Sequence, residues 1–130
     1  MSFCTVINCI DGRTQLPVIE YVQNRFVVEF VDMITEAGPV GILATGPDSV
    51  YAVSIFRRVV VSLNGHSSKQ IAIVAHYDCL GNPLPEGEQI KQLQKCLALL
   101  SQRFPNAEII GLWLDQDFEV HEVSTWRATK

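Results

Sequence analysis

Residues 70–79 read QIAIVAHYDC. Gln70–Ala75 is an unbroken apolar run of strand length. A run without polar alternation suits a parallel strand covered on both faces. Four polar residues then follow at once, His76-Tyr77-Asp78-Cys79, at what would be the strand's carboxyl end. Such a strand needs neighbours in parallel and helices above and below, so these ten residues set the fold class.

The flanking segments supply both. Upstream, Phe3–Ile10 is a short apolar and β-branched strand, and Leu16–Arg25 a helix that accepts Pro17 in its first turn. Phe26–Ile34 reads as a second strand. Ala37–Pro47, with three glycines and two prolines, reads as a loop with a short extended piece at Ile42–Ala44. Asp48–Leu63 carries Val53, Phe56, Val60 and Leu63 at helical spacing, with Asp48 as a candidate cap. The β-branched run Val59–Val61 favours a strand, but the segment's length favours a helix, and Asn64-Gly65 stops it. Downstream, Glu88–Arg103 is the clearest helix, with Ile90, Leu93, Leu97 and Leu100 as its apolar stripe. Glu108–Leu114 is a fourth parallel strand. Asp115–Asp117 turns the chain into a last strand, Phe118–Val123, paired antiparallel.

Strands and helices that alternate in this way predict an α/β fold. The expectation is one domain over residues 1–130 with three layers: a mostly parallel sheet of order 2-1-3-4, a C-terminal antiparallel strand, and helices on both faces. Strands one and three are then neighbours at the topological switch point, where ligands bind in open α/β sheets.

Composition narrows the function. The 130 residues are 48% hydrophobic and 18% charged, with a net charge of −4 and no lysine or arginine run. Nucleic acid is not an expected partner. No apolar stretch reaches eighteen residues, so no membrane span is expected. The start, MSFCTVINCID, does not read as a signal peptide, which makes a cytoplasmic location the expectation. The four cysteines, Cys4, Cys9, Cys79 and Cys96, therefore do not read as a disulfide framework.

Two of them stand in short polar segments at strand ends. Cys9-Ile10-Asp11-Gly12-Arg13 closes the first strand and His76-Tyr77-Asp78-Cys79 the third, so both open onto one crevice. Two thiolates and an imidazole suit zinc, which prefers tetrahedral sulfur and nitrogen donors. A fourth position stays open to water or to Asp11. Arg13 could hold Asp11 through a bidentate pair and keep it off the metal. The plainer readings are buried structural cysteines and an Asp11–Arg13 ion pair that braces a turn. Asp78 reads as shaping the turn between ligands. Cys4, Cys96, Tyr51, Phe56 and Trp113 read as packing residues, and His66 and His121 as exposed without partners.

The pair C-x-D-x-R and H-x-x-C, here CIDGR and HYDC, resembles the signature of the β-class carbonic anhydrases. Val31–Gly38 resembles that family's strand leading into an Asn-Ala-Gly loop, and Leu112–Val123 its terminal hairpin. The resemblance implies zinc ligation by Cys9, His76 and Cys79, with an Asp11–Arg13 dyad gating the fourth position. It implies hydration of carbon dioxide to bicarbonate by zinc-bound hydroxide, and homodimers or higher homo-oligomers. Alternatives on the same scaffold are hydrolysis of an analogue such as carbonyl sulfide, or a non-catalytic zinc module closed by Asp11. The chain departs from the pattern in places. Thr35-Glu36 stands where the family has Arg-Asn, which would add negative charge near the crevice. Leu80 stands where a glycine usually follows the second cysteine, with Gly81 next. The interval from Cys9 to His76 is longer than usual, and the family's N-terminal helical arm has no counterpart.

Overall fold

The computed structural model describes residues 1–128. In chain order its main elements are β1 (Phe3–Cys9), α1 (Gln15–Phe26), β2 (Phe30–Glu36), α2 (Pro39–Ala44), α3 (Val50–Val60), β3 (Gln70–His76), α4 (Glu86–Arg103), β4 (Glu108–Leu114) and β5 (Val120–Trp126). The strands form one sheet of order β2-β1-β3-β4-β5. The first four run parallel and β5 runs antiparallel to β4. This is the expected 2-1-3-4 arrangement with an antiparallel strand added at the β4 edge.

The continuous apolar strands are buried on both faces for the reason their sequence suggests. On one face Ile7, Ile71, Ile73 and Ile109 pack with Leu43, Ile55, Phe56 and Leu93 from α2, α3 and α4. On the other, Val6, Ala72, Val74 and Leu112 pack with Val18, Val22 and Phe26 of α1. Each fully buried Ile, Leu or Val contributes roughly 1.5–3 kcal/mol. Cys4 and Cys96 are wholly buried in these layers, as are Phe56 and Trp113 nearly so.

Several boundaries differ from expectation. The first helix continues through Phe26, because Val18, Val22 and Phe26 form an i, i+4 stripe on the sheet. Val27, at φ 55°, closes it, so β2 starts at Phe30 and not at Phe26. The expected loop at 37–47 contains a helix in place of an extended piece. Gly38 turns the chain at φ 64°, Pro39 takes the first helical turn, and Val40 and Leu43 are buried beneath it. The cap of α3 is Ser49, whose Oγ accepts the Ala52 N–H at 3.0 Å, and not Asp48. Its buried face is Ala52, Ile55, Phe56 and Val59, which leaves Val53 and Val60 exposed. Tyr51, expected in the core, is 63% exposed.

The helix α4 begins at Glu86, two residues early. The last strand begins at Val120 and runs on to Trp126, because Phe118 is left-handed and Asp115 Oδ1 accepts the N–H groups of Asp117 and Glu119. Both surface histidines do have partners: His66 Nδ1 lies 2.7 Å from Asp32 Oδ2, and His121 Nε2 lies 2.7 Å from Asp115 Oδ2. Among the described residues, no helix is long and apolar enough to cross a membrane.

One feature of the sheet positions the site. The β1–β2 ladder runs to Cys9 and the β3–β4 ladder to His76, but β1 pairs with β3 only over Thr5–Ile7 and Ile71–Ile73. Beyond Ile7 and Ile73 these central strands part. Their carboxyl ends, Cys9 and His76, line the gap.

Candidate metal centre

Cys9 and His76 are the last residues of β1 and β3. Cys79 returns to them through a tight turn in which Asp78 takes a φ of 57°. The three side chains are 3%, 1% and 4% exposed. Their donor atoms all lie within 4.8 Å of one another. The two sulfurs are 3.8 Å apart, far beyond the ~2.05 Å of a disulfide. Two sulfurs about 2.3 Å from a tetrahedral zinc are themselves about 3.8 Å apart, so the spacing matches shared ligation.

The hydrogen bonds favour a metal as well. His76 Nδ1 donates to the Tyr77 carbonyl at 2.7 Å. That bond fixes the tautomer and leaves Nε2 with the lone pair. Nε2 is buried and, among the described residues, has no hydrogen-bond partner, a costly state unless a ligand completes it. The backbone N–H groups of Asp11 and Gly38 favour the charged form of Cys9, and those of Gly81 and Asn82 favour that of Cys79. Amide donors of this kind stabilise thiolate charge.

The two thiols compete for one proton. The hydrogen bond between them pulls Cys9 down and, with burial and the Cys9 charge, pushes Cys79 up. Burial works against a charged His76, but the nearby Cys9 sulfur, the Tyr77 carbonyl and the charges of Cys9 and Asp11 outweigh it and push its pKa up. A metal at this centre therefore displaces protons as it binds. The donor set, the sulfur spacing and the unpaired Nε2 together fit a zinc ion.

Asp11 is not in the three-residue cluster. Both its carboxylate oxygens are held by Arg13, Oδ2 by Nη2 at 2.7 Å and Oδ1 by Nε at 3.1 Å, with the Arg13 N–H adding a third bond at 2.9 Å. Those bonds, against some burial, hold the carboxyl down to about 2. Arg13 also reaches the turn before Cys79, at Asp78 Oδ2 (3.3 Å) and the Asp78 carbonyl (3.2 Å), and lies over the Phe118 ring. Arg13 thus bridges the two motifs.

Other side chains at the site were not singled out by sequence. Gln15 donates to the carbonyls of Cys9 and Asp11, and buried Gln89 to those of His76 and Leu84. Gln89 sits four residues before Leu93, so a polar residue in the apolar stripe of α4 was the available signal. Glu36 pairs with Arg58 of α3, so the negative charge expected at the crevice is compensated. The glycines explain the departure at Leu80. A Cβ on Gly38 would lie 2.7 Å from the Gly81 carbonyl carbon, and one on Gly81 would lie 2.5 Å from that of Ala37. These two loops cross in contact, and they carry the Gly38 and Gly81 amides that favour the charged sulfurs.

No curated protein sequence matches the chain. Among solved structures, similar folds include one from a study of two tetrameric β-carbonic anhydrases of the filamentous ascomycete Sordaria macrospora. It has a TM-score of 0.56 at 10% identity, over 95% of this chain and 81% of that one. The β-carbonic anhydrase CafA of the fungal pathogen Aspergillus fumigatus has a TM-score of 0.54 at 12% identity, over 92% and 74% of the two chains. At that identity the likeness is one of fold. A family model described as "Putative carbonic anhydrase" matches residues 1–124, and the chain belongs to that carbonic anhydrase family.

Proposed function

We propose that the protein is a zinc lyase that interconverts carbon dioxide and bicarbonate, with Cys9, His76 and Cys79 as the metal ligands. The observation that carries this reading is the triad of buried donors with an unpaired His76 Nε2, beside a carboxylate that Arg13 keeps occupied. Zinc bound here would supply a Lewis acid that draws the pKa of water toward neutrality. The protein's part is positioning. Cys9 and Cys79 supply charge, and their backbone donors keep that charge in place. His76 is held in one tautomer by Tyr77. Asp11, ionised across the physiological range, would accept a hydrogen bond from a water bound beside the three donors, and Arg13 holds both oxygens of the same carboxylate.

The test is metal analysis followed by stopped-flow carbon dioxide hydration across pH. We expect one zinc per chain and a rate above background that Asp11→Ala lowers. Zinc-loaded protein with no rate at any pH, alkaline included, would sink the proposal.

One observation favours a second reading, a closed zinc module without activity. The three donors are almost wholly buried, and the clefts on either side of the 77–82 turn do not reach them. One, of about 530 Å³, is lined by Tyr77, Asp78 and Trp113; the other, of about 420 Å³, by Gly41, Asn82 and Gln92. On that reading Asp11→Ala opens a coordination position and costs no activity. Hydrolysis of carbonyl sulfide is separated by running the same protein on both substrates.

A further inference from the structure

Gln89 lies in the second turn of α4 on the face that buries Leu93, Cys96, Leu97 and Leu100. It is 1% exposed. A primary amide at such a position is costly to bury unless its donors are used. Both are. Nε2 donates to the His76 carbonyl at 3.0 Å and to the Leu84 carbonyl at 2.9 Å. From Leu84 the bonding continues back along the turn: the Leu84 N–H donates to the Asn82 carbonyl at 2.8 Å, and the Asn82 N–H to the Cys79 carbonyl at 3.3 Å. His76, Gln89, Leu84, Asn82 and Cys79 therefore form one chain of hydrogen bonds that closes the loop carrying the second thiol onto the end of β3.

The loop's other ties come from outside α4: Arg13 donates to Asp78 Oδ2 and to the Asp78 carbonyl, the Tyr77 N–H donates to the Leu114 carbonyl, and Gly81 packs against the 37–38 loop. Tyr77, Leu80 and Leu84 are exposed, and Asp78 is in a left-handed conformation. Among the described residues, the other side-chain hydrogen bond from the loop to α4 is that of Asn82 Nδ2, which donates to Gln92 Oε1 at 2.7 Å. We infer that Gln89 is a positioning residue for the metal centre: its amide fixes the distance between His76 and Cys79, and so sets metal affinity without touching the metal. The inference rests on the zinc reading above and goes beyond it, because it assigns a role to a helix residue outside both motifs.

The experiment measures zinc affinity by chelator competition, and the visible spectrum of the cobalt-substituted protein, for wild type, Gln89→Met and Leu93→Ala. Methionine keeps the length of Gln89 and removes both donors. Leu93→Ala opens a cavity on the same helix face, one turn on, and so controls for general loosening of α4. Loss of a residue that orients a ligand typically costs about 10- to 100-fold in metal affinity. We expect a loss of that size in Gln89→Met with a shifted cobalt spectrum. We expect Leu93→Ala to melt earlier while keeping wild-type affinity and spectrum. Gln89→Met with unchanged affinity, or Leu93→Ala with an equal loss, would overturn the inference alone. Wild-type protein that takes up no zinc would overturn the zinc reading as well.

Discussion

Asp11 and Arg13 are separated by one glycine, and that short turn commits both carboxylate oxygens. Because Arg13 holds the Asp11 carboxyl down to about 2, folding is linked to pH in one direction. The unfolded aspartate titrates near 3.9. Stability from this group is fully present above that value and is lost as pH falls through about 2. Arg13→Ala returns the folded carboxyl toward its ordinary value, so the variant should lose less stability than wild type between pH 4 and pH 2. Melting curves of both proteins across that range check this, and parallel pH profiles would refute it. The turn was legible in the sequence because its geometry is local: two residues of spacing put the guanidinium within reach of the carboxylate. Gln89 and the Glu36–Arg58 pair were not, since each joins residues that only the tertiary fold brings together.

At the scale of elements, the misread boundaries share a physical cause. Propensity signalled a strand at Phe26 and a loop at 39–44, but burial overrode it: Phe26 completes the α1 stripe, and Val40 and Leu43 roof the sheet. The central strands were legible because a continuous apolar run has few alternatives. The crossing of the 37–38 and 81–82 loops was not, since it depends on two glycines 43 positions apart in the chain. It makes a sharp prediction. Gly81→Ala drives a Cβ into the Ala37 backbone and should cost about 2–3 kcal/mol, or roughly 5–12 °C in Tm for a chain of this size. Gly12→Ala, with nothing within 4 Å of the new Cβ, should melt like wild type. Equal melting temperatures for Gly81→Ala and wild type would show that the loops part freely.

For the whole molecule, the sheet order and the convergence of two strand ends followed from alternation and connection rules, whereas the outer surface did not. The apolar face expected to lie inward on α3 is instead divided. Val50, Val53 and Val60, with Val61 at the start of the π-helical segment that continues the helix, are all exposed and recur at helical spacing. An eleven-residue helix is about 16 Å long, so this stripe supplies only part of the ~800 Å² per partner that a standard interface buries. A second copy seated here must also cover neighbouring surface, and exposed Phe30 on the edge strand β2 is apolar surface of that kind. A fully buried valine is worth about 1.5 kcal/mol or more. Half of that, over Val53 and Val60 of both copies in a symmetric pair, is about 3 kcal/mol, or ~100-fold in the dissociation constant. Sedimentation equilibrium should therefore give a mass of two chains or more for wild type, and Val53→Lys with Val60→Lys should weaken association by about that factor. Both substitutions point into solvent in the isolated fold, so the folded spectrum should not change. A wild-type mass of one chain at all concentrations would mean that the stripe has no partner copy.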